Sequence, residues 1–128
     1  MLDLELLPGE YAICRLPAGS PLPPSLAEAR AGGVFSVTWT PDEVSILCPA
    51  DQVPAEATVE TPWRCLRVAG PVQLALTGIL ASIVSPLAAA RVNIFAFSTF
   101  DTDYVVVPAV RLGEALAALT GAGHRLST

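Results

Sequence analysis

Apolar positions recur with two different spacings along this chain of 128 residues, and the change of spacing marks out its elements. Short apolar runs bounded by Gly, Pro and Asp predict strands: YAICRLP (Tyr11–Pro17), VSILCP (residues 44–49), WRCLRV (residues 63–68) and YVVV (residues 104–107). From Leu76 the spacing lengthens. Leu76, Ile79, Leu80, Ile83, Val84 and Leu87 return at i, i+3, i+4 and i+7 with Ala and Ser opposite, which predicts an amphipathic helix over residues 77–91. Leu112, Leu116 and Leu119 share one face of a second helix over residues 111–119, and residues 124–126 add a last strand. The stretch VQLALTGILASIVSPLAAA (residues 72–90) approaches the ~20 residues of a membrane span. Its one-sided distribution of large side chains, with Gln73, Thr77, Ser82, Ser85 and Pro86 interspersed, favours a helix packed on a sheet.

These elements fall into two similar series. YAICRLP is answered by WRCLRVA, and FSVTWTPDEVSILCP (residues 35–49) by FAFSTFDTDYVVVP (residues 95–108), each a strand, an acidic turn and a second strand closed by proline. The same order in both halves points to a degenerate duplication. The second half reads β-α-β-β-α-β, the split βαβ plan of ferredoxin-like domains, with its first and second strands paired in parallel through the helical crossover. The first half has only PAGSPLPPSLAEARAGG where the long helix would stand, with room for a short helix at residues 25–30. Residues 2–6 read as an additional strand and residues 51–61 as a linker, so the expected domains are 1–58 and 62–128. In the strand after the long helix, Ile94, Ala96 and Ser98 should share one face and Phe95, Phe97 and Thr99 the other, whose aromatics need cover.

Composition narrows the function. Hydrophobic residues make up 52% and charged residues 15%, so a packed core is expected. All seven cations are arginines, at 15, 30, 64, 67, 91, 111 and 125; they form no cluster to follow a phosphate backbone, and the net charge is −5, so no nucleic acid is expected. The lack of lysine excludes a P-loop and Schiff-base chemistry. Cys14, Cys48 and Cys65 are dispersed in apolar segments, which suits small buried thiols in a reducing compartment and neither a disulfide framework nor a zinc site. The opening MLDLELLPGE carries acids where a signal peptide carries bases, so a cytoplasmic protein is expected. Hydrolase and metalloprotease motifs are missing, and no metal, cofactor or catalytic residue is assigned.

GILASIVSPLAAARVNI (residues 78–94) resembles the signature of the ACT domain, a small ferredoxin-like regulatory module, at Gly78, Ile79, Leu80, Ile83, Leu87 and the triplet Val92-Asn93-Ile94. WRCLRVAGPVQLALTGILASI together with FAFSTFDTDYVVV is similar to the tandem ACT proteins related to the arginine-sensing CASTOR family, and LLPGEYAICRLP and VSILCP extend the likeness into the first half. Leu74, Ala75 and Leu76 stand where many ACT domains carry an aspartate before the glycine, and Arg91 stands where most end the helix on glycine. The resemblance implies an α+β, ferredoxin-like ACT fold in tandem with a reduced N-terminal half. It implies a non-catalytic sensor of a small molecule, an amino acid, bound at an interface between ACT units, in a homodimer open to a protein partner and away from membranes.

A zwitterionic ligand sets the candidate residues. Its carboxylate suits the N-terminus of the long helix at Leu76, Thr77, Gly78 and Ile79, where Thr77 either caps the helix or bonds the ligand. A ligand cation suits Asp101 and Asp103 in the hairpin with Phe97, Ser98 and Thr99. Within one ACT unit that hairpin is expected at the sheet end remote from the helix start, a gap that a two-fold interface would close. The bland alternative is that Asp101 and Asp103 only turn the chain. Asn93 is expected to bond loop backbone, His124 to lie on the surface, and Trp39 and Trp63 to pack in cores.

Overall fold

Residues 1–28, 32–70 and 77–127 are described in the computed structural model of the chain, and they divide into two compact units, Gly9–Trp63 and Met1–Pro8 with Arg64–Thr128. The chain opens with β1 (Asp3–Leu6) and β2 (Tyr11–Pro17), followed by the short helix α1 (Pro24–Glu28), β3 (Ser36–Trp39) and β4 (Glu43–Pro49). A 3₁₀ turn at Ala50–Gln52 leads into β5 (Thr58–Val68). The helix α2 (Ile79–Ala89), the hairpin β6 (Phe95–Ser98) and β7 (Asp103–Pro108), a 3₁₀ turn at Ala109–Arg111, α3 (Leu112–Gly121) and β8 (Arg125–Ser127) complete it. Thr58–Thr61, expected as linker, is strand: its side chains are exposed, so no apolar period marks it, but its backbone pairs with β2.

In the unit Gly9–Trp63, β2 lies between β4 and the first residues of β5. The directly opposed pairs Ala12↔Cys48, Cys14↔Ile46 and Leu16↔Val44 turn alternate side chains to one face, and these six with Leu26 of α1 form the core. Burying such side chains contributes about 1.5–3 kcal/mol for each large one. Gly33 is required where the chain enters β3. Its φ is +93°, and a Cβ there would lie 2.7 Å from Pro49 Cγ, beside the buried Tyr11, whose hydroxyl accepts the Val34 N–H at 3.1 Å. Trp39, expected in a core, is 55% exposed, while Trp63 is half-buried. The last residues proposed for the short helix, up to Arg30, lie outside the described residues.

In the other unit the strands stand in the order β8-β1-β5-β7-β6. Two expectations change here. The first and second strands of the ferredoxin-like plan, β5 and β6, are not neighbours, because β7 pairs with both. The N-terminal strand β1 belongs to this unit, antiparallel to β5 (Leu4↔Val68) and parallel to β8 (Leu4↔Leu126), which centres Leu4 in the core. Leu66 and Val68, Val105 and Val107, Ile83 and Leu87 of α2, and Ala115 and Leu119 of α3 surround it, with Ile94 packed at the margin. Phe95, Phe97 and Tyr104 take the opposite face, as the alternation requires: Phe97 stands directly across from Tyr104, and their rings stack at 4.9 Å.

Helix α2 ends in a Schellman motif. Val92 N–H bonds Leu87 C=O at 2.9 Å, Arg91 N–H bonds Ala88 C=O at 3.0 Å, and Arg91 takes the left-handed conformation at φ 60°. An arginine there costs ~1 kcal/mol relative to glycine, offset by burial of Val92 against Leu87. Asn93 is exposed and makes no side-chain bond among the described residues.

His124 is a correction of a different kind. It is 6% exposed, and its Nδ1 accepts the Leu2 N–H at 3.1 Å while its Nε2–H donates to Ser82 C=O at 2.8 Å. Pro86 lies four residues after Ser82 within α2 and has no N–H to give that carbonyl. The imidazole supplies the missing donor and joins β1, α2 and the end of α3 in one clasp. No helix among the described residues is long and apolar enough to cross a membrane.

Candidate functional site

The β6–β7 hairpin closes on Ser98↔Asp103, where the Ser98 hydroxyl donates to the Asp103 carboxylate. Thr99 N–H bonds Thr102 C=O at 2.9 Å, which leaves Phe100 and Asp101 at the tip, both exposed. Thr102 is 7% exposed and points inward, its hydroxyl donating to Val68 C=O at 2.6 Å. This bond decides where the hairpin sits. Val68 is the last residue of β5, so the hairpin closes at the end of the sheet from which the chain departs for α2.

The far end of α2 confirms its direction. Arg111, just beyond the end of β7, donates to Ala90 C=O at 3.3 Å, so the helix finishes at the sheet end opposite the hairpin. Its start therefore lies at the hairpin end. The expectation that hairpin and helix start are remote within one unit is overturned: α2 carries the chain to the opposite sheet end and β6 brings it back, so the turn after β6 lies beside the exit of β5, where the Thr102–Val68 bond holds it.

At that start, Gly78 occupies the N-cap with φ +77°, and among the described residues no side chain caps the helix. Thr77 is thus not the cap. A left-handed residue is needed to turn the chain into the first α-helical residue, Ile79, and glycine supplies it without a Cβ penalty. Among the described residues, a Cβ on Gly78 would meet nothing within 4 Å. Thr77 and Gly78 are exposed and Ile79 is half-buried against the core; Leu76 lies outside the described residues. One sheet end therefore holds Thr77, Gly78 and Ile79 together with Ser98, Thr99, Asp101 and Asp103. Phe97 is apart from them, stacked on Tyr104 on the sheet face away from α2.

That open face carries a further group not singled out from sequence. Arg67 of β5 pairs with its register partner Glu5 of β1, its Nε donating at 3.1 Å, and the carboxylate, with a further contribution from Tyr104, holds the guanidinium above its ordinary pKa. The signal was an Arg and a Glu at alternate positions of two strands whose pairing sequence alone leaves open. Thr102 was missed as well, since a threonine in a polar turn looks like any other.

The thiols lie elsewhere. Cys14, Cys48 and Cys65 are free and buried. The Cys48 thiol is hydrogen-bonded to Cys14 and holds its proton above the ordinary range, the same hydrogen bond lowering Cys14, and burial pushes Cys65 up to about 12. A buried, protonated thiol is a poor nucleophile. No group of three or more metal-ligating side chains occurs among the described residues.

A family profile described as ACT domain matches residues 58–121, half of the chain. The chain belongs to the ACT domain family. A second profile, describing an N-terminal domain, matches residues 9–56 ahead of the ACT match. A protein of Agobacterium tumefaciens known from an X-ray crystal structure is 38% identical, with a TM-score of 0.88 over 98% of this ACT protein and 92% of that chain. The ligand-free regulatory subunit of aspartate kinase from Thermus thermophilus shares the fold, with a TM-score of 0.63 over 96% of each chain at 17% identity. The human cytosolic arginine sensor for mTORC1 subunit 1 is 38% identical over 58 residues, 44% of this chain. That match spans only 18% of the length of the sensor.

Proposed function

We propose that this ACT protein is a non-catalytic regulator that binds an amino acid at the hairpin end of its C-terminal unit, in a site completed by a second ACT unit. The observation that carries the reading is the Thr102–Val68 hydrogen bond, because it sets the carboxylates of the hairpin at the same sheet end as the uncapped start of α2. The ligand carboxylate is received by the N–H groups after Gly78, and its cationic group by Asp101 and Asp103. Thr77 and Ser98 add hydroxyls at the two margins. The names of an arginine sensor and of an aspartate kinase regulatory subunit among the related proteins favour an amino acid over other small anions.

The reading includes a tandem origin, with residues 1–58 derived from a reduced ACT-like half that lends its first strand to the full one at residues 62–128, a homodimer in the cytoplasm, and a protein partner as output. Ligand bound across two ACT units stabilises one relative placement of them, and the partner responds to that population. A second reading is a ligand-free dimerisation module, favoured by the half-buried Phe95, Phe97 and Tyr104 on the face away from the helices.

Thermal denaturation against each of the twenty amino acids at millimolar concentration separates the two. Binding to the folded state alone raises Tm for at least one of them. A Tm unmoved by all twenty, with a stable dimer in solution, establishes the second reading.

A further inference from the structure

The unit Gly9–Trp63 holds a feature that the ligand site does not use. The acids Glu10, Glu28, Asp42, Glu43, Asp51, Glu56 and Glu60 face only Arg15 and Arg30 in its composition, whereas the rest of the chain has five acids and five arginines. The net charge of −5 therefore belongs entirely to this unit. The three ion pairs among the described residues, Arg67–Glu5, Arg111–Glu114 and Arg125–Asp3, are all in the other one. Asp42, Glu43 and Glu56 have no cationic partner among the described residues.

One of these carboxylates, Glu56, lines an apolar groove, and Glu43 stands opposite Pro17 at its wall. A cavity of about 410 Å³ opens where β2 ends, with Leu16, Pro17, Pro21, Pro23 and Pro54 among its walls and Glu56 in its lining. Leu16 and Pro54 are buried, while Pro17, Pro21 and Glu56 are exposed. Prolines hold φ fixed, so the groove is formed in advance and little chain entropy is lost on filling it. Ser20 also lines it; its carbonyl accepts the indole N–H of Trp39 at 3.3 Å, and its hydroxyl is tied to Pro17 C=O at 2.6 Å. Trp39 is thus held at the margin with 55% of its surface in solvent. Beside it, Thr40 Oγ1 accepts the N–H groups of Asp42 and Glu43, and Glu43 stands directly opposite Pro17 in the sheet.

We propose that this groove and Trp39 dock a basic segment of a partner protein. One apolar side chain of that segment enters between the prolines. A neighbouring arginine or lysine lies over the Trp39 ring and reaches Glu56 or the carboxylates at the β3–β4 turn. The cavity alone suits a small molecule equally well by volume; the fixed tryptophan outside it extends the apolar surface beyond what a small molecule would cover, which favours a chain.

The test is an amide and indole NMR titration of the intact protein with N-acetyl-Arg-Leu-Arg-amide, N-acetyl-Ala-Leu-Ala-amide and N-acetyl-Glu-Leu-Glu-amide. The basic peptide should give saturable shifts at Ser20, Ala55, Glu56 and the Trp39 indole N–H, weakening as salt is added, and the acidic peptide none. Trp39→Ala should weaken the basic peptide about tenfold and Glu56→Gln about threefold; both side chains are exposed, and unchanged amide spectra elsewhere verify the fold. No saturable shift at millimolar peptide, equal binding of the three peptides, or binding indifferent to both substitutions overturns the proposal. Shifts confined to residues 77–79 and 98–103 overturn it too, while leaving the proposed ligand site standing.

Discussion

Residues 11–52 and residues 63–111 pass through the same sequence of elements: strand, helix, hairpin, then a 3₁₀ turn entered through Pro-Ala. In each, the second hairpin strand returns beside the opening strand, β4 beside β2 and β7 beside β5. They differ in the helix. α1 has 5 residues and gives its core the single buried side chain of Leu26, while α2 has 11 and buries Ile83 and Leu87 completely. A helix of about one turn gathers little macrodipole, and one of three turns presents a usable positive end. The same plan thus carries a three-turn helix begun at a glycine N-cap in one unit, and an acidic turn with a proline-lined groove in the other. Similar topology does not carry similar chemistry.

The largest effect expected from this difference is in the cores. Leu87→Ala should cost about 4 kcal/mol and Leu26→Ala about 2 kcal/mol, measured by guanidinium denaturation, because the second sits on a short helix that can shift to close the gap. Equal losses would mean that the short helix is as firmly packed as the long one.

Next comes the clasp on α2, which has no counterpart among the described residues of the other unit. His124→Ala leaves the Leu2 N–H and the Ser82 carbonyl without their partner, for a loss of about 2 kcal/mol. Pro86→Ala restores an N–H four residues beyond Ser82. The double substitution is therefore expected to be more stable than His124→Ala alone, a coupling that a denaturation cycle reads directly. Additive losses would show that the histidine does not serve the carbonyl freed by proline.

The thiol of Cys65 gives a pH dependence. It is held at about 12 against an ordinary 9.0, so below pH 9 both folded and unfolded chains keep the proton and stability is unaffected. Between pH 9 and 12 only the unfolded chain releases it, and stability falls by about 1.4 kcal/mol per pH unit. Cys65→Ala should remove about 1.4 kcal/mol in all of the stability lost between pH 8 and pH 10, since release begins near pH 9; an unchanged loss would place it in the raised Cys48 thiol of the other unit. Smallest of all, Arg67→Met should cost only about 0.5 kcal/mol, since its pair with Glu5 is more than one-third exposed on the arginine side.

Much of this arrangement is readable from residue order. The strands, the long helix and the facing of Ile94 against Phe95 and Phe97 follow from period alone, and Arg91 in the left-handed conformation follows from the ACT-like spacing. What escapes is non-local. The place of β1 depends on pairing with strands more than sixty residues away, and Leu4 looks the same whichever sheet receives it. The burial of His124 was foreshadowed by Pro86, whose missing N–H in a predicted helix leaves a carbonyl seeking a donor, but the identity of that donor depends on the tertiary fold. The end at which the hairpin sits follows from chain direction: α2 carries the chain to the far sheet end and β6 returns it, so the turn after β6 belongs at the exit of β5 whichever strand lies between them. Trp39 lies on a strand whose outer positions are exposed, a fact set by the edge position of β3 and invisible in its four residues.

The central claim is that the start of α2 and the β6–β7 hairpin together receive an amino acid. It is tested most directly by amide NMR of the intact protein titrated with whichever amino acid raises Tm most. The account predicts the largest saturable shifts at Gly78, Ile79 and residues 99–103, and their loss in Asp103→Asn. Shifts that leave Gly78 and Ile79 untouched, or that concentrate at the acidic turn of residues 40–43, would contradict it.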